Sequence, residues 1–344
     1  MIDRVSSQAP PLLLRDAALS LRRALARANG EVGSGRHADL AEALGAGLSR
    51  DAQAHVRAAA LEAFDAQDDV AGARLDALTS TLGHLRGLAV GLRDQLVAAQ
   101  QSPQTRAGLI ESAKGFLASY MDAMNRDVGG VALFGGKTLD VPSVIPYESG
   151  PASVVAAAFQ AEFGMTQDDP AVAAIAPDAM ATFLDGRFAA QFDPARWSAV
   201  WSRATDEAFR SQIAPGESAQ TTASANETAL RDMARLAVMV SDLGAGKLND
   251  AAFARLAGRA GALASSVIDG TTTIEARMGV ARRRVSDAQM TMSATRDLLM
   301  RQIGAMEDVD PTQAATRVND LTARLEATYA VTARMRDLSL LKYL

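Results

Sequence analysis

The chain has 344 residues, a formal net charge of −5 and no cysteine. That composition gives no basic field for nucleic acid and excludes disulfides, thiol catalysis and thiolate metal sites. Apolar residues make up 48% of the chain but aromatics only 5%, so alanine and leucine carry the hydrophobicity and favour closely packed helices.

The N-terminus, MIDRVSSQAPPLLLRD, has an apolar run from Pro10 to Leu14 that is too short for a secretory signal and is cut off by Arg15. Apolar stretches stay below the 18 residues that a membrane span needs, so no membrane insertion is expected. Taken alone, the rules for cleaved-signal export would leave such a chain in the cytoplasm. From there the first helix shows coiled-coil spacing, with Leu14, Ala18, Leu21, Leu25, Ala28 and Val32 stepping by four and three. A longer seam follows: Leu61, Phe64, Asp68, Ala71, Leu75, Leu78, Leu82, Leu85, Ala89, Leu92 and Leu96. It predicts a helix over about 49–100, roughly 75 Å long, with Asp68 as its one polar position. Ser102-Pro103 restarts the chain, and Ile110, Leu117, Met121, Met124 and Val128 are expected to line a third helix.

Composition then changes. Seven of the eleven prolines, both tryptophans and six of the ten phenylalanines fall between 140 and 216, which reads as a compact inserted domain of mixed strand and helix. Ser224 and Glu227 have capping-box spacing before a helix carrying Leu230, Met233, Leu236, Val240 and Leu243. The seam from Phe253 through Leu256, Ala260, Leu263, Val267, Gly270 and Ile274 shifts at Met278, a stutter, and resumes with Ala281, Val285, Ala288, Met292, Thr295 and Leu299. Asp310-Pro311 caps the last helix, whose seam is Ala314, Val318, Leu321, Leu325, Val331, Met335 and Leu338. Five of the last seven residues are apolar, an unusual ending for a terminus that would otherwise fray.

The expected fold is therefore mainly α: a long antiparallel helical rod, a coiled-coil-like bundle of N- and C-terminal arms, with a small inserted α+β domain. Its expected divisions are terminal helices at 1–35 and 308–344, a rod at 36–139 and 223–307, and a middle domain at 140–222. Each terminal helix needs a partner for its apolar face.

Signals for chemistry are weak. His37, His55 and His84 lack the ligand spacing of a zinc motif and read as partly exposed helical histidines. Asp168-Asp169 before Pro170 reads as a helix cap. The glycine pairs flanking VALF match no phosphate-loop pattern and read as a turn–strand–turn. RRR at 282–284 reads as a solvated face. No catalytic, cofactor-binding or metal-binding residues are expected.

Four segments in order resemble the bacterial flagellin family. EVGSGR (31–36) is similar to the turn after a flagellin's first helix, written L-S-S-G-[KR]. VALFGGKTLDVP (131–142) resembles the segment Y-L-F-[AS]-G-x-K-T-x-x-x-P in the hook–filament junction branch of that family. WSRATDEAFRSQIAPGESAQTTASANETALRDMA (201–234) is similar to the exit from that branch's middle domain. RVNDLTARLEATYAVTARMRDLSLLKYL resembles the family's C-terminal helix. The N-terminal segment departs from the pattern in being richer in Ala, Leu and Arg, and the middle domain is small.

The resemblance implies a structural subunit, most like the hook–filament junction adaptor. A filament flagellin with a reduced middle domain is the alternative, and heptads alone would equally support an intracellular coiled-coil scaffold. It further implies an extracellular place on the flagellum, reached without a cleaved signal peptide by type III export. Implied partners are other copies in a ring, a neighbouring hook-associated protein, flagellin and an export chaperone. The expected assembly seam is Leu14, Leu21, Leu25, Val318, Leu321, Leu325, Met335, Leu338, Leu341 and Leu344.

Overall fold

In the computed structural model, residues 9–337 are described. Two helices of unusual length dominate, α3 (Leu48–Gln101) and α9 (Asp250–Glu307). Around them, in chain order, lie α1 (Ala9–Ser34), α2 (Leu40–Leu44), α4 (Arg106–Met124), α5 (Pro151–Phe163), α6 (Pro177–Phe183), α7 (Pro194–Val200), α8 (Thr228–Ser241) and α10 (Pro311–Asp337). Strands form two antiparallel hairpins, β1 (Asp127–Val128) with β2 (Val131–Ala132) and β3 (Arg210–Ala214) with β4 (Glu217–Gln220). The fold is mainly α with a small strand-bearing region, as the heptads and the composition shift predict. Among the described residues no helix is long and apolar enough to cross a membrane.

Contacts divide the chain into two compact units, Met1–Glu62 with Ser293–Leu344 and Ala63–Met292. In the second unit, α3 buries Ala71, Leu75, Leu78, Leu82, Leu85, Ala89, Leu92 and Leu96, the predicted heptad positions. Here α9 runs antiparallel to it, tied by Arg86–Glu275 at 3.1 Å, Asp76–Arg282 at 3.0 Å and Asp69–Gln289 at 2.9 Å. On α9, Ile274, Met278, Ala281 and Val285 are all buried, so the stutter keeps the seam inside an unbroken helix. Arg282 and Arg284 are not simply solvated: they pair with Asp76 and Glu217.

Two further sequence expectations need correction in this unit. The third helix, α4, ends at Met124 and buries Leu109, Ala113, Phe116, Leu117, Tyr120, Ala123 and Met124. Ile110 and Met121 are only half-buried and Val128 lies in β1, because two aromatics offer more area to bury than the stripe through Ile110. Ser224 does not cap a helix. α8 begins four residues later, and the Ser224 hydroxyl donates to the Thr205 carbonyl at 2.6 Å while accepting from the Asn226 amide.

The middle of this unit has its own aromatic core. Rings of Phe163, Phe159, Phe183, Phe188, Phe192, Trp201 and Trp197 follow one another at centroid distances of 4.7–5.9 Å, and Tyr147 joins Trp201 at 5.7 Å. Such pairs contribute about 0.5–1.5 kcal/mol each beyond their area. This explains why rings are concentrated where α5, α6 and α7 are too short to bury a heptad seam.

Gly129 and Gly130, both at positive φ, make the two-residue turn between β1 and β2. Beyond it, LFGG is sewn to the outgoing chain. The Ala223 and Ala225 amides donate to the Leu133 and Phe134 carbonyls at 3.0 and 2.8 Å, and the Gly136 amide donates to the Ala223 carbonyl at 3.0 Å. The chain thus enters and leaves the middle region through one shared set of backbone bonds.

Asp68 sits fully buried on α3, and neither carboxylate oxygen has a hydrogen-bond partner. Burial, then the charges of Asp65 and Asp69, push its pKa up from 3.8 to about 6. The native state therefore binds a proton that the unfolded chain releases. Stability from this group falls as pH rises from about 4 to about 6, and the penalty is complete above that. Asp68→Asn should be more stable than the parent at pH 7.5 by about 2–3 kcal/mol, a gain that shrinks towards zero at pH 4. Paired urea titrations across that range check it; a gain independent of pH would place the effect elsewhere.

Candidate assembly site

The first unit is built differently. Its buried apolar residues among those described are Ala28, Ala54, Ala58, Ile303 and Ala314, four alanines and one large side chain. Most large exposed apolar side chains of the described chain also belong to it: Leu13, Leu19, Val32, Leu48, Val56, Leu298, Met300, Tyr329, Val331 and Met335. The unit's own core is therefore thin, and many of its large apolar side chains stay uncovered.

Helices α1 and α10 pack on each other antiparallel. Arg22 lies over the Tyr329 ring at 5.5 Å, Arg317 faces Glu31 at 3.9 Å, and the Val309 amide donates to the Gly35 carbonyl at 3.0 Å. Asp310 caps α10 as predicted, accepting from the Thr312 and Gln313 amides at 2.7 and 3.2 Å, and those bonds hold its carboxyl below the usual range. α1 ends because Gly35 adopts φ +72°, the left-handed conformation glycine takes without penalty. The next residues then run against the α9–α10 turn, where the His37 amide donates to the Glu307 carbonyl at 2.8 Å. His37 accordingly lies in a loop, not on a helix as expected.

Pairing leaves the seam unfinished. Leu14, Leu21 and Leu25 on α1 and Val318, Leu321 and Leu325 on α10 are half-buried, and Met335 is 40% exposed. Leu338, Leu341 and Leu344 lie outside the described residues. The spacing argument missed Leu13, Leu19 and Tyr329, which are exposed on the same two helices and fall outside the strict three–four repeat. A cleft of about 240 Å³ beside α1 is lined by Arg27, Glu31, Asp39, Glu42 and Arg317, whose charges meet in the pairs Arg27–Glu42 and Arg317–Glu31. That is a structural ion-pair arrangement and offers no reacting group.

A further cluster, invisible to motif searching, brings Asp51 and His55 of α3 against Glu307 at the end of α9. The His55 Nε2 lies 2.6 Å from a Glu307 oxygen and 4.0 Å from Asp51. The one sequence signal was the i, i+4 spacing of Asp51 and His55; Glu307 is 252 residues from His55.

Residues 262–344 match the family model of the bacterial flagellin C-terminal helical region. No curated protein matches the chain. Among solved structures, a chain described as a flagellar hook-associated protein from Vibrio parahaemolyticus is similar at 12% identity, covering 76% of this chain and 93% of its own, with a TM-score of 0.40. A likeness that loose carries no argument. The matched region comprises most of α9 and all of α10, and over it the chain is similar to the C-terminal helical region of bacterial flagellins.

Proposed function

We propose that the protein is the adaptor subunit of the hook–filament junction, assembling through the apolar seam of α1 and α10. One observation carries the assembly reading: the seam leucines are only half-covered by their own chain, and Leu13, Leu19, Tyr329, Val331 and Met335 on the same two helices stay exposed. In an assembled ring, neighbouring copies cover the rest, at about 25 cal/mol for each square ångström of apolar surface buried. The adaptor reading, in place of a filament subunit, rests on the likeness of VALFGGKT and 201–234 to the junction branch and on the small middle region.

In this reading residues 1–35 and 308–344 are the polymerising ends, 36–139 and 223–307 the supporting helices, and 140–222 the insertion. The subunit meets other copies of itself, a neighbouring hook-associated protein on one side and flagellin on the other. It leaves the cell unfolded through the flagellar channel, escorted by a chaperone. Quantitative mass spectrometry of flagella sheared to different lengths tests this. A junction adaptor keeps a fixed, small number of copies per filament whatever its length. Copy number rising in proportion to length would make the protein a filament flagellin, and absence from the flagellar fraction would remove both readings.

A further inference from the structure

Asp51, His55 and Glu307 converge within the first unit, and they do more than balance charge. Their ligand atoms all lie within 4.8 Å of one another, one imidazole nitrogen and two carboxylate oxygens from two helices. Asp51 is 4% exposed and one of its carboxylate oxygens, Oδ1, has no hydrogen-bond partner. A buried, unsatisfied carboxylate oxygen is destabilising unless something binds it. Arg36 holds only the far oxygen of Glu307, Oε2, at 3.0 Å, and lies 3.9 Å from Asp308. Three carboxylates therefore face one guanidinium and one imidazole, and the site is short of positive charge. Glu307 is also the last residue of the 58-residue helix α9, where the helix dipole favours a cation.

From these residues we infer a binding site for a divalent transition-metal ion of the Zn²⁺ class, held by Asp51, His55 and Glu307 Oε1, with solvent as the remaining ligand. Bonds of about 2.0–2.1 Å at tetrahedral angles require ligand atoms roughly 3.3 Å apart. The present separations of 2.6 Å for His55–Glu307 and 4.0 Å for His55–Asp51 bracket that value. The third pair, Asp51 and Glu307, lies within 4.8 Å, so modest side-chain rotations would bring all three into place. One nitrogen and two oxygens suit Zn²⁺ or Co²⁺ better than Mg²⁺, which takes oxygen ligands and keeps its water. A bound ion would tie α3 to the end of α9 beside the turn from which α1 and α10 both depart.

Calorimetric titration of the untagged, full-length chain with ZnCl₂ in chelator-free buffer tests the site, with CoCl₂ absorption as a second readout. One equivalent of Zn²⁺ should bind saturably, Co²⁺ should give visible ligand-field bands, and MgCl₂ should give neither. His55→Ala, at a half-exposed position that leaves the fold intact, should weaken Zn²⁺ binding at least tenfold, and Glu307→Gln should do the same. His37→Ala and His84→Ala should leave it unchanged. No stoichiometric Zn²⁺ uptake would show that His55 serves only as a hydrogen-bond partner of Glu307 and would overturn the inference. Binding that survives His55→Ala, or that is lost with His37 or His84, would overturn it equally.

Discussion

Replacing Val331 and Met335 together by aspartate is expected to leave the monomer's melting temperature unchanged while raising the concentration needed for assembly at least about a hundredfold. Both residues are exposed in the monomer, 47% and 40%, so a charge there meets water and costs little. In the assembly proposed above the same positions would face neighbouring copies. Covering the exposed part of each apolar side chain is worth about 1 kcal/mol, and a carboxylate forfeits that gain and adds several kcal/mol of desolvation. A combined loss above about 3 kcal/mol exceeds two decades in an association constant. Sedimentation of the purified chain over a concentration series reads the effect. Val280→Asp with Met290→Asp is the matched control: these are exposed to 49% and 61% but belong to the other unit, and should not matter. Equal loss of assembly from both pairs, or from neither, would show that the α1–α10 seam is not the interface.

Why α1 and α10 could be read in advance, while their surroundings could not, is a matter of period. Heptads leave a record in every turn, so the long helix α3 was legible almost to its ends: about 49–100 was expected and Leu48–Gln101 is observed. Caps set by one side chain on the next few amides were legible too, as at Asp310. Ser224 shows the limit, because its hydroxyl is claimed by the Thr205 carbonyl, a partner that spacing cannot reveal. α4 shows another: two apolar stripes compete on one helix, and the stripe with Phe116 and Tyr120 wins by burying more area. The Asp51–His55–Glu307 cluster was hidden for the same reason as Ser224, since it needs a contact spanning most of the chain. Three of the four segments that resemble flagellins meet two physical needs. EVGSGR lies against the α9–α10 turn, and VALFGGKT is bonded to the 201–234 segment, so these segments close contacts between distant parts of the chain and do not merely fill helix faces.

That second pairing sets the largest expected loss of stability, at Gly136. A Cβ added there would lie 2.2 Å from the Thr205 carbonyl oxygen, 2.6 Å from Thr205 Oγ1 and 2.8 Å from the Glu207 carbonyl oxygen. No rotation relieves a clash with two backbone oxygens, so Gly136→Ala must push the chain at 205–207 away. The displaced bonds include Lys137 amide to Thr205 Oγ1 at 2.7 Å, Thr222 Oγ1 to the Gly136 carbonyl at 2.9 Å and Gly136 amide to the Ala223 carbonyl at 3.0 Å. At about 1 kcal/mol each, with another 1–2 kcal/mol for a side chain at φ +65°, the loss reaches roughly 4–5 kcal/mol. That is a large share of the about 5–15 kcal/mol that holds a typical domain. Gly130→Ala supplies the comparison, since Gly130 has φ +73° but nothing within 4 Å of the added atom, so only the conformational cost of about 1–2 kcal/mol should appear. Urea unfolding followed by Trp197 and Trp201 fluorescence, which report on the aromatic core, should separate the two variants by about 3 kcal/mol. If Gly136→Ala proves no worse than Gly130→Ala, the bonds joining the incoming and outgoing chains are not what secures the middle region.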